Sequence, residues 1–328
     1  MMFNERIIVW ILACTAVVLA AVGIKILHTI SSVAHNQITE SRPSTGTQPI
    51  SSGGRTAPSF YVDLPQVATV PAVSRSSAPA PDVITAEAYL VGDVVSGKIY
   101  LEKDQDKVLP VASMSKLVTA IVATDTMSPT TTISITPQEA DTYPDHSAIG
   151  AGESFSLKEM LYPLLLDSSN IAAEALASTS DRAHFLNLMN GYAWEIGMSD
   201  SYFGDPSGLS PHNMSTASDF FKLAKYLYSS RPDLLAITRT PSVSVGTITE
   251  HGAHDFVSIH PLISDPRFIG GKTGHTDEAA DTMLSILDID GHPIAIIVLH
   301  SVSGDRKHDT LLLAEKAASM INGQASRQ

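Results

Sequence analysis

The sequence is poor in cysteine and in positive charge, and each shortage excludes a class of protein. Cys14 is the single cysteine among 328 residues, which excludes an internal disulfide framework and any metal site built from several cysteines. Lys and Arg number 21 against 34 Asp and Glu, a net charge of −13. Proteins that follow nucleic-acid phosphates carry basic stripes instead, so we expect no nucleic-acid partner.

The charge is unevenly distributed and divides the chain into three segments. Residues 1–30 carry a net charge of +1 and residues 31–83 a net charge of 0, whereas residues 84–328 hold 30 acidic and 16 basic residues. We therefore expect an N-terminal segment (1–30), a linker (31–83) and a folded domain (84–325) with different physical properties.

The N-terminal segment is long and apolar enough to span a membrane. The 18 residues 7–24 contain no charge, and the apolar run continues to Leu27 past Lys25. At about 1.5 Å per residue, such a helix nearly crosses a hydrocarbon core of about 30 Å. A cleaved signal peptide has a shorter apolar region, although residues 32–34 offer a cleavage site. We predict membrane attachment through residues 7–27 and favour an uncleaved anchor. Cys14 lies in this segment, so the folded domain has no thiol nucleophile.

Residues 31–83 have the composition of a linker. Ser, Pro, Thr and Gly make up 25 of the 53 residues. Such a stretch cannot bury enough apolar surface to offset its ordering entropy, so we predict a disordered Ser/Pro-rich linker.

Residues 84–325 alternate between strand and helix patterns in a way typical of an α+β fold. Residues 86–104 predict two strands around a turn at Ser96–Lys98. Apolar spacing predicts helices at 113–127, 157–179, 183–197, 216–228 and about 306–321. Strand patterns follow at 241–248, 255–259, 282–289 and 293–302, the last two joined by a hairpin turn at Asp290-Gly291. We expect an antiparallel sheet flanked by helices, with an inserted helical subdomain.

Ser113 and Lys116 form the first candidate catalytic motif, Ser-x-x-Lys. In a helix, residues i and i+3 share a face, which would place the hydroxyl beside the amine. Lysine can act as a base if burial or a neighbouring cation lowers its pKa. Backbone N–H groups at a helix N-terminus also suit a developing oxyanion. Taken alone, the motif is more typical of a helix cap followed by a solvated lysine.

Two further motifs follow. Ser168-Ser169-Asn170 lies between two apolar runs, as a turn or helix cap that exposes polar side chains. Lys272-Thr273-Gly274 follows two glycines, and its glycines would let a ligand approach the backbone closely. Of 11 lysines only Lys272 precedes Thr-Gly. A phosphate-binding P-loop is excluded, since the required Gly-x-x-x-x-Gly is missing. A strand edge and turn would explain this motif without any chemistry.

The order Ser-x-x-Lys, Ser-x-Asn, Lys-Thr-Gly is the signature of penicillin-recognising serine enzymes. The stretches LPVASMSKLVTAI, LLLDSSNIAAEALA and GGKTGHTDEAA resemble the D-alanyl-D-alanine carboxypeptidase family of low-molecular-mass penicillin-binding proteins, over residues 84–322. The spacing of 104 residues from Ser168 to Lys272 is similar to that family. Class A β-lactamases have a shorter gap and a Glu-x-x-Leu-Asn loop, which this sequence lacks. The resemblance implies a penicillin-binding protein/β-lactamase-like fold.

The resemblance also implies roles for individual residues. Ser113 would attack the carbonyl between two terminal D-alanines, Lys116 would accept its proton, and Ser168 would relay a proton to the leaving amine. The backbone N–H groups of Ser113 and His275 would form the oxyanion hole. The remaining site residues would contact the substrate: Asn170, Lys272, Thr273, Gly274, His275 and Arg306. A solvated helix cap is an alternative for Arg306. We expect no cofactor and no metal.

The same resemblance implies two partners, a peptidoglycan stem peptide ending in D-Ala-D-Ala and β-lactam antibiotics. The apolar residues 7–27 add the bacterial cytoplasmic membrane, crossed once with the catalytic domain outside the cytoplasm. Residues 7–27 would replace the C-terminal anchor of many relatives. One departure is Ser258-Ile259-His260, where the family often has Asn-x-Asn, which puts the local substrate contacts in doubt.

Four alternative functions share parts of this pattern. A D,D-endopeptidase of peptidoglycan cross-links has the same motifs, and a β-lactamase differs by fast deacylation. A non-catalytic penicillin-binding or cell-wall-binding module would have a decayed site, against which the three intact motifs argue. A zinc peptidase could use His251, His254 and Asp255, but no His-Glu-x-x-His helix accompanies them.

Overall fold

The computed structural model describes residues 82–325. The predicted membrane segment 7–27 and nearly all of the predicted linker therefore lie outside the described residues. Among the helices of 82–325, none is long and apolar enough to cross a membrane.

A five-stranded antiparallel sheet forms the centre of the fold. Its strand order is β2-β1-β11-β10-β9, so the two ends of the domain's sequence meet in one sheet. Three two-stranded ribbons accompany it, pairing β3 with β6, β4 with β5 and β7 with β8. The strands are β1 Ala88–Asp93, β2 Ile99–Lys103, β3 Leu109–Pro110, β4 Thr132–Ser134, β5 Ser154–Ser156, β6 Met214–Ser215, β7 Ser242–Val245, β8 His254–Val257, β9 Phe268–Thr276, β10 Ala280–Ile289 and β11 His292–Ser301.

The helical subdomain is inserted between β2 and β9, and one further helix follows β11. A 3₁₀ turn at Ala112–Ser115 leads into the first α-helix. The helices are α1 Lys116–Thr126, α2 Pro137–Ala140, α3 Leu157–Leu165, α4 Asn170–Ser178, α5 Arg182–Ile196, α6 Ala217–Ser230, α7 Pro232–Thr238 and α8 Arg306–Ala325. Ser156 and Glu159 form a capping box at the start of α3, which satisfies backbone N–H groups there.

Both faces of the sheet are buried, which explains its apolar sequence. Alternate residues of β10 point to opposite faces, so Leu284 and Ile286 join the core beneath the helical subdomain. Met283 and Leu287 join a second core, which includes Leu313 of α8. The sheet is thus held between two helical layers, and its edge strand β9 carries the Lys-Thr-Gly motif.

The predicted α+β fold with an inserted helical subdomain is confirmed. Asp290 and Gly291 form the predicted hairpin turn with φ values of 54° and 82°, as a turn with two left-handed residues requires. The helical pattern over 157–179 forms two helices, since α3 ends at Leu165 and α4 begins at Asn170, with Ser169 of the predicted turn or helix cap as the N-cap of α4. β9 was not predicted as a strand because it contains three glycines, and glycine is rare in strands.

Candidate active site

Ser113 lies on the 3₁₀ turn before α1, and this turn packs against the C-terminal part of β9. The prediction that an α-helix begins at Ser113 is corrected here, since α1 begins at Lys116. Gly274 makes the close approach of the turn to β9 possible, because a Cβ at that position would lie 2.7 Å from the Val111 carbonyl oxygen. Ala112, just before the serine, has a φ of 47°, a conformation that costs an alanine about 1–3 kcal/mol. The fold therefore holds the serine in a strained turn.

Lys116 is completely buried beneath Ser113. Its Nζ lies 2.8 Å from the Ser113 hydroxyl oxygen. It also donates to Asn170 Oδ1 and to the Ser207 carbonyl oxygen, both at 2.6 Å. These are three partners in total, and no carboxylate forms an ion pair with the amine within residues 82–325.

Burial lowers the pKa of Lys116 to about 7, because the ammonium loses its hydration. The negative charges of Asp205, Asp145 and Glu174 oppose this effect without cancelling it. A neutral amine has two N–H donors and one lone pair. The two carbonyl oxygens accept the N–H groups, so the lone pair is left for the Ser113 hydroxyl proton. The surroundings therefore suit Lys116 to act as a base.

The Ser207 carbonyl is held in place by the turn that follows Asp205. The Asp205 carboxylate accepts hydrogen bonds from the Ser207 and Gly208 backbone N–H groups, at 2.8 Å and 2.5 Å. Thr119 of α1 donates to the Pro206 carbonyl at 2.6 Å, which ties the same turn to the helix that carries the lysine. Ser207 was missed from the sequence because only its backbone oxygen takes part. The turn-forming Asp-Pro-Ser-Gly is the signal that could have indicated it.

Ser168 and Lys272 form a second serine–lysine pair. Lys272 Nζ lies 2.7 Å from the Ser168 hydroxyl oxygen and 3.0 Å from the Thr273 carbonyl oxygen. Lys272 is only 2% exposed, and burial lowers its pKa well below the usual value, with the positive charges of Lys116 and Arg306 adding to the effect. Ser168 has a φ of 62°, another strained position in the cleft. A proton can therefore pass between this amine and this hydroxyl.

Asn170 begins α4 and is positioned from both sides. Its side-chain amide N–H donates to the Pro144 carbonyl oxygen, and its backbone N–H donates to the Asp145 carboxylate. Asp145 also accepts the Ile171 N–H at 2.8 Å, so an anion caps the N-terminus of α4. Sequence reasoning missed Asp145, because it lies in a loop 25 residues away from the helix it caps.

Arg306 and His275 lie around Asp281 at another part of the cleft. Arg306 Nη1 donates to the Gly274 carbonyl oxygen at 2.8 Å and lies 3.4 Å from Asp281 Oδ1. His275 Nδ1 lies 2.8 Å from the same Asp281 oxygen. Burial lowers the pKa of Arg306, while the Asp281 carboxylate acts against this. The arginine is thus held in the cleft wall, so the solvated-cap alternative is wrong.

A cleft of about 260 Å³ connects these groups. Seven of the nine predicted site residues line the wall of this cleft. The other two, Lys116 and Lys272, are buried beneath Ser113 and Ser168. Residues that line the wall are Ser113, Pro144, Asp145, His146, Asp167, Ser168, Asn170, Leu209, Ile259, Thr273, Gly274, His275 and Arg306. The structure therefore brings all nine predicted site residues together.

The departure at residues 258–260 changes one wall of the cleft. Ile259 lines it, whereas His260 is buried and stacks on Phe268 with ring centroids 4.3 Å apart. Burial lowers the pKa of His260 to about 3, so the ring is neutral at pH 7. This histidine supports the strand behind the site.

The histidines of the zinc alternative lie outside the cleft wall. His251 stacks on Phe155 with ring centroids 4.3 Å apart, and His254 Nε2 lies 2.8 Å from Glu153 Oε1. Among residues 82–325, no group of three or more His, Cys, Asp or Glu side chains is arranged to hold a metal ion.

Comparisons with known proteins agree with this geometry. The sequence pattern of the D-alanyl-D-alanine carboxypeptidase family matches residues 74–303. A D-alanyl-D-alanine endopeptidase of Pseudomonas aeruginosa is 30% identical over 236 residues, which are 69% of this chain and 74% of that protein.

Two solved structures have a similar fold. A D-alanyl-D-alanine carboxypeptidase of Mycobacterium tuberculosis has a TM-score of 0.65 at 26% identity, over 76% of this chain and 95% of that one. Penicillin-binding protein D2 of Listeria monocytogenes, solved in a cefotaxime-bound form, has a TM-score of 0.62 at 29% identity, over 71% of this chain and 97% of that one. Since the family pattern spans more than half of the chain and these relatives share its fold, the chain belongs to the D-alanyl-D-alanine carboxypeptidase family.

Proposed function

We propose that this protein is a serine-type D-alanyl-D-alanine carboxypeptidase, which removes the terminal D-alanine from peptidoglycan stem peptides. The observation that carries this proposal is the contact of Ser113 with a fully buried lysine, whose two other partners are carbonyl oxygens. In this arrangement the Lys116 lone pair faces the hydroxyl, which activates the serine without a histidine.

The reaction would proceed in two stages. The Ser113 hydroxyl oxygen attacks the carbonyl carbon between the two terminal D-alanines while its proton moves to Lys116. Ser168, supplied by Lys272, gives a proton to the leaving amine as the peptide bond breaks, and D-alanine departs. Water then attacks the ester on Ser113, which releases the shortened peptide and restores the hydroxyl.

The groups around Arg306 would hold the end of the substrate. A terminal carboxylate is an anion, and Arg306 presents a guanidinium in the cleft wall beside Gly274. Thr273 in the cleft wall offers a hydroxyl. The backbone N–H groups of Ser113 and His275 would stabilise the oxyanion. Asn170 would contact the peptide from the other wall.

A second candidate is a D,D-endopeptidase, which cuts cross-links between stem peptides by the same chemistry. The name of the Pseudomonas aeruginosa relative favours it. We still favour the carboxypeptidase, since the Mycobacterium tuberculosis protein with the same fold carries that name. The cefotaxime-bound form of the Listeria protein supports the expectation that β-lactams acylate Ser113.

Release of D-alanine tests the proposed function. The full-length protein should release D-alanine from a soluble pentapeptide ending in D-Ala-D-Ala faster than it cleaves a cross-linked dimer. Ser113→Ala should release none. Preferred cleavage of the dimer would favour the endopeptidase, and rapid turnover of a penicillin would favour a β-lactamase.

We also propose that residues 7–27 cross the bacterial cytoplasmic membrane once, with the catalytic domain outside the cytoplasm. The uncharged run of residues 7–24 supports this. In fractionated cells the protein should stay with the membranes after a carbonate wash, and protease added to spheroplasts should digest the domain. Release of the protein by the wash would contradict the anchor.

A further inference from the structure

The cleft carries opposite charges in different parts of its wall. The Arg306 guanidinium lies in one part, beside Gly274 of β9. Two carboxyl groups, Asp145 and Asp167, line another part. A cleft of this kind suits a ligand with a negative and a positive group at a set separation.

The two carboxyl groups differ in what they already bind. Asp145 is saturated, since its oxygens accept hydrogen bonds from five donors of the protein: the Ser147 N–H, the Ser147 hydroxyl, the Ser169 hydroxyl, the Asn170 N–H and the Ile171 N–H. It is therefore a structural cap and has little capacity left for a ligand.

Asp167 keeps one oxygen free. Its Oδ1 accepts the Val257 N–H at 2.7 Å. Within the part of the chain that the structure describes, no group donates to its other oxygen and no cation pairs with it. Partial burial raises the pKa of Asp167 to about 6. The negative charge of Asp145 also raises this pKa, whereas the hydrogen bond from Val257 lowers it. An unpaired, partly desolvated carboxylate is costly, and a bound cation would offset that cost.

The surroundings of Asp167 indicate the kind of cation. Ile259 lines the same cleft and its backbone N–H donates to the Leu166 carbonyl at 3.1 Å, directly before Asp167 in the chain. An apolar side chain in the same cleft as a carboxylate with a free oxygen suits an alkyl chain that ends in an ammonium group. Asp167 also precedes Ser168, so it lies next to the proposed proton relay.

We propose that Asp167 binds the side-chain ammonium of a diamino acid in the peptide substrate, with its methylene groups on Ile259. This subsite rests on the proposed carboxypeptidase function and deepens it. The terminal carboxylate would lie in the cationic part of the cleft around Arg306, and the ammonium would lie on the other side of the scissile bond. The free enzyme would thus select peptides that carry both charges.

Two matched peptides test the subsite. Both are N-terminally acetylated Lys-D-Ala-D-Ala, one with a free side-chain amine and one with that amine acetylated, which removes the positive charge and adds one acetyl group. The measured quantity is the ratio of the two kcat/KM values for D-alanine release at pH 7.5, taken within each preparation of full-length protein. A partly misfolded preparation lowers both values equally and leaves the ratio unchanged.

Two substitutions complete the design. Asp167→Asn keeps an oxygen that can accept the Val257 N–H and removes the charge. Asp255→Asn is the control, since it removes one charge from the exposed face of β8, the strand that carries Val257, away from the cleft wall. We expect the free amine to be preferred about fivefold by the wild type and by Asp255→Asn, as for a partly screened ion pair, and a ratio near one for Asp167→Asn.

The outcomes separate the subsite from the proposed function. Equal values for both peptides in the wild type, or a preference that survives in Asp167→Asn, would overturn the subsite while D-alanine release upholds the carboxypeptidase. Release from neither peptide would overturn the carboxypeptidase and the subsite with it.

Discussion

Replacement of Gly208 by alanine should move the turn that contacts Lys116 away from the turn that carries Ser113. Gly208 has a φ of 90°, and a Cβ there would lie 2.1 Å from the Ala112 carbonyl oxygen and 2.7 Å from the Ser113 nitrogen. Such a Cβ contact is normally no closer than about 3 Å, so the turn that holds Lys116 and the turn that carries Ser113 would have to move apart by about 1 Å. A displacement of that size in a catalytic group can cost about 100-fold in rate.

Gly152 provides a matched control. It has a φ of 89°, and no atom lies within 4 Å of the position that a Cβ would occupy. Alanine at either position carries the same left-handed backbone cost, about 1–2 kcal/mol. The difference between Gly208→Ala and Gly152→Ala therefore isolates the contact with the Ser113 turn.

The assay is the second-order rate of acylation by a fluorescent penicillin, measured on protein whose folded fraction is known from thermal unfolding. We expect acylation of folded Gly208→Ala to be slower by about 100-fold, and that of Gly152→Ala to stay within about threefold of the wild type. Equal acylation rates for the two variants would refute the conclusion that this close approach positions the nucleophile.

Three further predictions concern the lysine and its neighbours. Because burial lowers the pKa of Lys116 to about 7 and the neutral amine is the base, acylation should rise with pH below 7 and level off above it. Asn170→Asp would place a carboxylate beside the amine, so the midpoint of the rate against pH should move at least about one unit higher; an unmoved midpoint would contradict the assignment of Lys116 as base. Asp145→Ala removes the cap of α4 and should lower the free energy of unfolding by about 1 kcal/mol in denaturant titrations, whereas an unchanged value would show that the cap is dispensable.

Local signals in the sequence predicted most of the fold. Gly197, left-handed at φ 93°, ends α5 where the sequence predicted the helix end. The failure to predict β9 has a local cause as well. The glycines of β9 lower its strand propensity, although Gly274 is needed for contact with the Ser113 turn.

The site was predictable where side chains follow motifs and unpredictable where the backbone or a distant loop contributes. Ser113, Lys116 and Lys272 belong to motifs with fixed spacing. The Ser207 carbonyl reaches Lys116 across 91 residues, and Asp145 reaches α4 from a loop without a recognisable pattern. Asp167 directly precedes the Ser168-Ser169-Asn170 motif. Its free oxygen could not be predicted, because the hydrogen-bond partners of Asp145 and Asp167 are known only from the structure.

The location of the penicillin adduct tests the central claim most directly. After the full-length protein reacts with a penicillin, intact mass should rise by one penicillin, and peptide mapping should place it on Ser113. Ser113→Ala should show no increase in mass. An adduct on another residue, or equal labelling of Ser113→Ala, would contradict the account of Ser113 and Lys116 as the nucleophile and its base.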